Sequence, residues 1–266
     1  MTLKTSKPKK LKIGILGCGW LGIRMVKIWK SDNFIYTTTT TKEKISKLEE
    51  ETVHPVLVDF KNGDRKDNCD DWQAMKLLDV VVITVPINSR KDRNIDSIEN
   101  KLKNLFAFLG DFKGQVFYLS STSVYPNQPK EFIEEEMPID KVFVENELRQ
   151  RYPQINILRL GGLMGDDRQL SKYNVSNLEA PVNHIHFSDV IGVIEKMMAV
   201  KSSSKLFNVV APLHPTKREV ISIQKGQIFN AQDFDGISAK MVSSKKIERD
   251  LNYKFIYPNP SSFHLI

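Results

Sequence analysis

The stretch that most constrains this chain runs from Lys12 to Gly22. The pentad Lys12–Leu16, which reads as a buried strand, leads straight into Gly17-Cys18-Gly19-Trp20-Leu21-Gly22, and the glycines open a helical stretch from Leu21 to about Lys30. Strand, glycine turn and helix in that order is the context that gives GxGxxG its physical meaning. The first glycine permits the tight turn, the second lets backbone approach a pyrophosphate, and the third allows close helix packing, with the phosphate at the helix N-terminus. Gly17, Gly19 and Gly22 occupy those places, and Trp20 and Leu21 complete the set of candidate dinucleotide-binding residues in the turn. Cys18 reads as a small filler and not a nucleophile, because nothing near it in sequence supplies a base.

The pattern then repeats along the chain. Phe34–Thr41 is rich in Thr and β-branched residues, Lys42–Glu51 is charged and helical in character, and Val56–Asp59 is a short strand. Asp79–Val85 is a nearly continuous Val/Ile run, the pattern of a strand buried on both faces of a parallel sheet, and Pro86 ends it. Ile95, Ile98, Leu102, Leu105, Phe106 and Leu109 recur at helical spacing before a strand at Gln115–Leu119. A helix near Lys141–Arg151 and a strand at Asn156–Leu160 come after it. The expected fold class is therefore α/β, a Rossmann-type doubly wound parallel sheet. After Gly165 the alternation weakens. The expected organisation is a disordered basic tail over 1–10, a dinucleotide-binding domain over 11–165, and over 166–266 a small C-terminal, substrate-side lobe that shares elements with the main sheet.

Composition narrows the class further. No apolar run reaches the roughly 18 residues that a membrane-spanning helix needs, so a cytoplasmic protein with no membrane association is expected. Cys18 and Cys69 form no CxxC and no metal spacing, which argues against a disulfide framework and against a structural metal. The formal net charge is +7, yet residues 11–200 hold 25 basic against 27 acidic side chains; the excess lies in the first ten residues and after residue 200. With no basic motif interleaved with aromatics, nucleic acid is not an expected partner. The expected partner is a small-molecule substrate or none, and a homodimer is allowed.

The end of the second strand separates the two nicotinamide cofactors. An NAD site places Asp or Glu there for the ribose 2′-hydroxyl, whereas an NADP site avoids that charge and offers a hydroxyl or a cation to the phosphate. Tyr36-Thr37-Thr38-Thr39-Thr40-Thr41-Lys42 has no acid before Glu43. Thr38, Thr39 and Lys42 thus point to NADP, with NAD as the other option; the plainer reading is that the threonines are β-formers and Lys42 a solvated helix start.

A set of motifs adds a resemblance. Gly17–Gly22, Val58-Asp59-Phe60, Val80–Pro86, Leu119–Tyr125, Ile157–Gly162 and Asn183–Val190 occur in the order seen in extended short-chain dehydrogenases. The chain resembles the NAD(P)-dependent epimerase/dehydratase group of that superfamily, in an atypical YeeZ-like subgroup. Phe207–Val210 with Pro215–Glu219, and the ending Leu251–Phe255 with Tyr257-Pro258, are similar to the same subgroup. The resemblance covers about residues 11–260 and implies that Asp59 contacts adenine and that Val85 and Pro86 line the cofactor cleft. It also implies that the catalytic hydroxyl is Ser121, three residues before Val124. A hydroxyl at a strand's C-terminal end is well placed to hydrogen-bond a substrate carbonyl, and equally able to satisfy a local turn. Dehydratases of this class carry Asp-Glu in the next two positions. Thr122-Ser123 stand there instead, which disfavours sugar dehydration.

The chain departs from the family at the acid–base pair. Enzymes of this kind use YxxxK, in which the Lys lowers the Tyr pKa and the phenolate moves the proton during hydride transfer. None of the seven tyrosines has a Lys four residues on. The family's K-x-x-x-E spacing matches Lys141 with Glu145, so Lys141 is a candidate for the nicotinamide ribose, and Met137 stands at the Tyr position. His184 and His186 share one face of an expected strand with Asp189 close behind, and they read as structural rather than as metal ligands. Asp189 is expected to cap the helix over Val190–Met198, Glu134–Glu136 to be a solvated charge run, and Arg168 to border the substrate. The resulting expectation is an NAD(P)-binding oxidoreductase or epimerase-like protein that acts on a small polar, sugar-like substrate. The alternative is a catalytically silent NADP-binding sensor.

Overall fold

The computed structural model describes residues 9–51, 53–61, 76–87, 94–137, 142–229 and 239–265. Residues 1–8, Cys69 and Lys141 lie outside them. By its internal contacts the chain divides into two compact units, Met1–Phe117 and Tyr118–Ile266.

The first unit begins with β1 (Lys12–Leu16), α1 (Trp20–Trp29), β2 (Phe34–Thr39), α2 (Lys42–Glu50) and β3 (His54–Leu57). It continues with β4 (Val80–Ile83) and α3 (Ile95–Leu109). Residues of β1 and β4 are almost entirely buried, as apolar runs flanked by helices on both faces should be. Helix α1 buries Leu21, Met25, Val26 and Trp29, and α3 buries Ile98, Leu102, Leu105 and Leu109, the one-sided stripes that fix each helix on its sheet face. The Asn94 side chain starts α3 by accepting a bond from Asp96 N at 2.9 Å. The parallel registers pair Ile15 with Thr37, Leu16 with Ile83 and Thr39 with Leu57. The C-terminal ends of β1, β2, β3 and β4 therefore emerge along one edge.

β5 (Gln115–Ser121) crosses the division between the units. The second unit adds β6 (Glu131–Phe132), α4 (Phe143–Arg151), β7 (Asn156–Leu160), β8 (Gly162–Met164) and β9 (His184–His186). It ends with α5 (Phe187–Ala199), β10 (Leu206–Val209), α6 (Lys217–Gln224), β11 (Met241–Val242) and α7 (Lys245–Leu251). The central sheet has seven strands in the order β10-β7-β5-β4-β1-β2-β3, the doubly wound parallel arrangement that the alternation predicts. Two parallel pairs stand outside it, β11 with β6 and β8 with β9. The alternation that fades in sequence after Gly165 returns as α5 and β10. It is hard to see because β8 and β9 interpose three-residue strands of their own.

Two helix starts differ from expectation. Helix α5 begins at Phe187, not Val190, and its cap is His186, whose Nδ1 accepts from Ser188 N at 3.3 Å. Asp189 is instead fully buried and holds the C-terminal segment, accepting from Tyr253 Oη at 2.9 Å, Ile256 N at 2.7 Å and Tyr257 N at 3.0 Å. Helix α4 begins at Phe143, so Met137 is not one of its residues.

No helix among the described residues is long and apolar enough to cross a membrane.

Candidate functional site

In the first unit the site is made mostly of backbone. Gly17 has φ of +96°, a conformation that L side chains avoid, and a Cβ there would lie 2.9 Å from Thr84 Oγ1. Its amide donates to Thr38 Oγ1 at 2.9 Å, and the next amide, of Cys18, donates to Thr38 O at 2.7 Å. Thr84 fastens the other side, its hydroxyl donating to the carbonyls of Leu16 and Gly17. Gly22 packs α1 onto the turn: a Cβ there would come within 2.9 Å of the Gly17 carbonyl oxygen. Gly19 differs from both, because a Cβ there would meet nothing within 4 Å. The three glycines do three jobs: one turns, one packs, and one leaves space open.

That space lies at the start of α1. Gly19 is the N-cap and offers no side chain, and the first helical hydrogen bond runs from Ile23 N to Gly19 O at 3.0 Å. The first turn of a helix has amides beyond the reach of helical carbonyls, and an anion there is stabilised by both hydrogen bonding and the helix dipole. Arg24 lies over the Trp20 ring at 3.7 Å and donates to Trp20 O at 2.8 Å, which holds the indole against the first turn. Burial pushes the Cys18 thiol up to about 11 while the Lys44 charge works in the opposite direction, so Cys18 is an inert filler, as expected. The same interaction places the Lys44 ammonium within electrostatic reach of the turn.

The hydroxyls at the end of β2 have a different use from the one expected. Thr38 and Thr39 are buried, the first accepting from Gly17 N and the second from Thr41 N at 3.3 Å. They build the turn and do not present oxygen to a ligand. Thr40, Lys42 and Lys44 are exposed beyond them, so the cationic character rests on the two lysines. Lys44 carries no sequence motif of its own; only the geometry brings it in. Asp59 lies just after β3, and its Oδ1 accepts from Lys61 N at 2.8 Å. Val85 and Pro86 lie just after β4, with Val85 N only 3.2 Å from where a Gly17 Cβ would be. Every cofactor residue expected in this unit therefore lies in the glycine turn or at the C-terminal end of one of the four strands, or just beyond it.

In the second unit the site is made of side chains. Ser121 is exposed and caps a 3₁₀ turn over Thr122–Val124, its Oγ accepting from Ser123 N at 3.1 Å. Both sides of the turn are anchored. Ser120 Oγ donates to Glu145 Oε1 at 2.7 Å, and Tyr125 Oη accepts from Arg159 Nη1 at 2.9 Å. Glu145 and Arg159 form a two-pronged pair, at 3.0 Å from Nε and 2.8 Å from Nη2, with both side chains only 2% exposed. Tyr125 Oη donates onward to Asn208 Oδ1 at 2.7 Å, and Asn208 N donates to Glu134 Oε1 at 2.8 Å. Lys240 Nζ donates to the carbonyls of Thr122 and Tyr125 at 3.2 and 3.3 Å.

Several expectations change here. Glu134 is buried and belongs to this network, so Glu134–Glu136 is not a uniformly solvated run; its carboxyl is held above the usual range because burial outweighs the hydrogen bond from Asn208. Met137 packs against a cluster of Tyr125, Phe132, Val210 and Val242. A phenol at that position would start from inside an apolar contact. Tyr125, the tyrosine nearest Ser121 in sequence after Tyr118, is buried and committed to Asn208 and Arg159. Arg168 closes a tight turn with Gly165 through paired backbone bonds of 2.9 and 3.1 Å. No group of three or more His, Cys, Asp or Glu that could hold a metal is found among the described residues, and burial pushes His184 down to about 4, which keeps it neutral. A cavity of about 370 Å³ is lined by Glu131, Glu134, Glu135, Ser243, Lys245 and Arg249, among others, and Ser121 is not among its walls.

Sequence reasoning singled out the glycine turn, Asp59, Val85, Pro86 and Ser121 as candidates. It missed Lys44, Lys240 and the Arg159–Glu145 pair, since a buried ion pair 14 residues apart leaves no periodic trace.

No protein-family model matches the chain. Escherichia coli K12 protein YeeZ is 23% identical over 270 residues, covering 94% of this chain and 97% of that protein. Among solved structures, the Bordetella bronchiseptica enzyme WbmG in complex with NAD superposes with a TM-score of 0.73 at 12% identity, covering 97% of this chain and 93% of that one. The ADP-L-glycero-D-manno-heptose-6-epimerase of Helicobacter pylori gives 0.71 at 15% identity, covering 96% and 95%. The chain is thus similar to YeeZ over nearly its whole length and shares the fold of the Bordetella bronchiseptica enzyme WbmG and of the Helicobacter pylori epimerase.

Proposed function

We propose that the protein is an NAD(P)-dependent oxidoreductase or epimerase for a small polar, sugar-like substrate, with NADP preferred to NAD. The observation that carries this reading is Gly19: a glycine whose missing Cβ no protein atom replaces, beside an uncapped helix start, fits the approach of a pyrophosphate. That WbmG, with the same fold, holds NAD supports the cofactor class, and the epimerase activity of the Helicobacter pylori enzyme supports the reaction class.

In this reading the open backbone at Gly19 and the first turn of α1 hold the pyrophosphate and Asp59 the adenine, while Val85 and Pro86 line the cleft. Lys42 and Lys44 face the 2′-phosphate in place of a carboxylate. A bound dinucleotide supplies the hydride acceptor or donor. Ser121 donates a hydrogen bond from its hydroxyl to a substrate oxygen while its own oxygen remains engaged by Ser123 N. Hydride transfer at an alcohol carbon also requires a proton to move at its oxygen, and a positioned acid or base contributes roughly 10²–10⁴-fold. A serine hydroxyl without an activating neighbour is too weakly acidic for that role.

The packing of Met137 into its apolar cluster favours a second reading, an NADP-binding sensor that performs no turnover. Steady-state assays of the full chain over a panel of nucleotide-sugars and simple sugars separate the two. Turnover in the ordinary range of about 1–10³ s⁻¹ supports the enzyme. Tight dinucleotide binding with no turnover on any of them supports the sensor.

A further inference from the structure

A buried ion pair is a poor stabiliser, because the cost of taking two charges out of water consumes most of their attraction, and an apolar replacement of similar volume is often as stable or more so. Arg159 and Glu145 nevertheless stand in the second unit with both side chains 2% exposed. What they touch explains the choice. Glu145 reaches Ser120, the residue before Ser121; Arg159 reaches Tyr125, the residue after Val124, and also the carbonyl of Glu134 at 2.9 Å. One pair thus grips both ends of the four-residue turn that carries Ser121, and Asn208 holds the Tyr125 hydroxyl from the opposite side.

We propose that Arg159 and Glu145 are positioning residues that set the placement of the Ser121 hydroxyl, with Tyr125 and Asn208 as the link on the Tyr125 side. The proposal rests on the reading that Ser121 meets the substrate, and it adds the residues that aim it. Arg is required and not merely a cation: its fork places Nε and Nη2 on the carboxylate and leaves Nη1 for Tyr125 and Glu134.

The test uses the full chain with Arg159→Met combined with Glu145→Leu, which removes both charges and keeps volume, and Arg159→Lys, which keeps the charge and loses the fork. The reporters are the amides of Ser123, bonded to Ser121 Oγ, and Tyr125, bonded to Thr122 O. Exchange of these two should speed up by about tenfold or more in the double variant while the amides of β10 keep their rates and the melting temperature stays close to wild type. Arg159→Lys should release Tyr125 more than Ser123. With whichever sugar substrate the panel identifies, the double variant should lower kcat by about 10–100-fold with KM within about twofold, and Arg159→Lys should recover part of it. Unchanged exchange at both reporters, or exchange that rises in step with a global loss of stability, overturns the proposal. Should the double variant fail to fold, Tyr125→Phe and Arg159→Lys give the same reading at Tyr125. An absence of turnover in the wild type would defeat the enzyme reading alone, since amide exchange in the free protein decides the positioning proposal without it.

Discussion

The two units build their candidate sites from different materials. In the first, a turn is shaped by glycine φ, backbone amides and a helix end, and its side chains serve the backbone: Thr38 and Thr84 fasten the turn from either side. In the second, the turn at Ser121 is held by a side-chain network drawn from β5, β7, β10 and α4, with a buried ion pair at its centre. A backbone site is broken by the gain of a side chain at Gly17 or Gly22, where an added Cβ has no room. A network site behaves in the opposite way, because removing one member leaves its partner buried and unsatisfied.

Single substitutions can break this contrast, the largest effect first. Arg159→Met should destabilise the protein by about 3–5 kcal/mol, because it strands Glu145 as an uncompensated buried charge; urea unfolding measures it. Gly17→Ala should come next, losing about 1–2 kcal/mol to the left-handed backbone and about 1–3 kcal/mol more to the contact with Thr84. A loss below about 0.5 kcal/mol in either variant would show that the contrast is wrong.

Acidification sharpens the comparison, since burial depresses two histidines of the second unit, His184 and His214. Burial holds His184 at about 4 when folded against about 6.5 when unfolded, so the unfolded chain takes up the proton first as pH falls. Stability is then fully present above about 6.5 and is lost on descent toward 4, by up to about 3 kcal/mol from this residue. His214, also depressed by burial, acts in the same direction. Melting curves between pH 7 and pH 4 should show this slope, and His184→Asn should flatten it. A slope unchanged in the variant would remove His184 as its source. The smallest effect on stability belongs to Gly19→Ala, which should leave unfolding within about 0.5 kcal/mol of wild type because nothing lies within 4 Å of the added methyl.

The same contrast explains what could be read from the sequence. Glycine in a turn has few reasons to be there, and a Val run such as Val80–Ile83 can hardly be anything but a buried strand, so the strands of the first unit were legible to within about two residues, whereas β10 at the edge of the sheet was not. Ser121 was legible as a position but not as an environment. Arg159 is spelled within a mostly apolar strand, Asn156–Leu160, and nothing local shows that its charge is met by Glu145 one helix earlier. His186 and Asp189 exchanged roles for a similar reason: which of two polar residues near a helix start becomes the cap depends on what else needs satisfying. Here the amides of Ile256 and Tyr257, far along the chain, claimed Asp189.

The central claim is that the glycine turn cradles a nicotinamide dinucleotide, and calorimetric titration of NADPH and NADH into wild type and Gly19→Val tests it most directly. The account predicts saturable binding of both to wild type, NADPH the tighter, and a loss of at least about tenfold, or 1.4 kcal/mol, in Gly19→Val with its melting temperature preserved. Binding that survives Gly19→Val unchanged would contradict it, as would a wild type that binds neither dinucleotide.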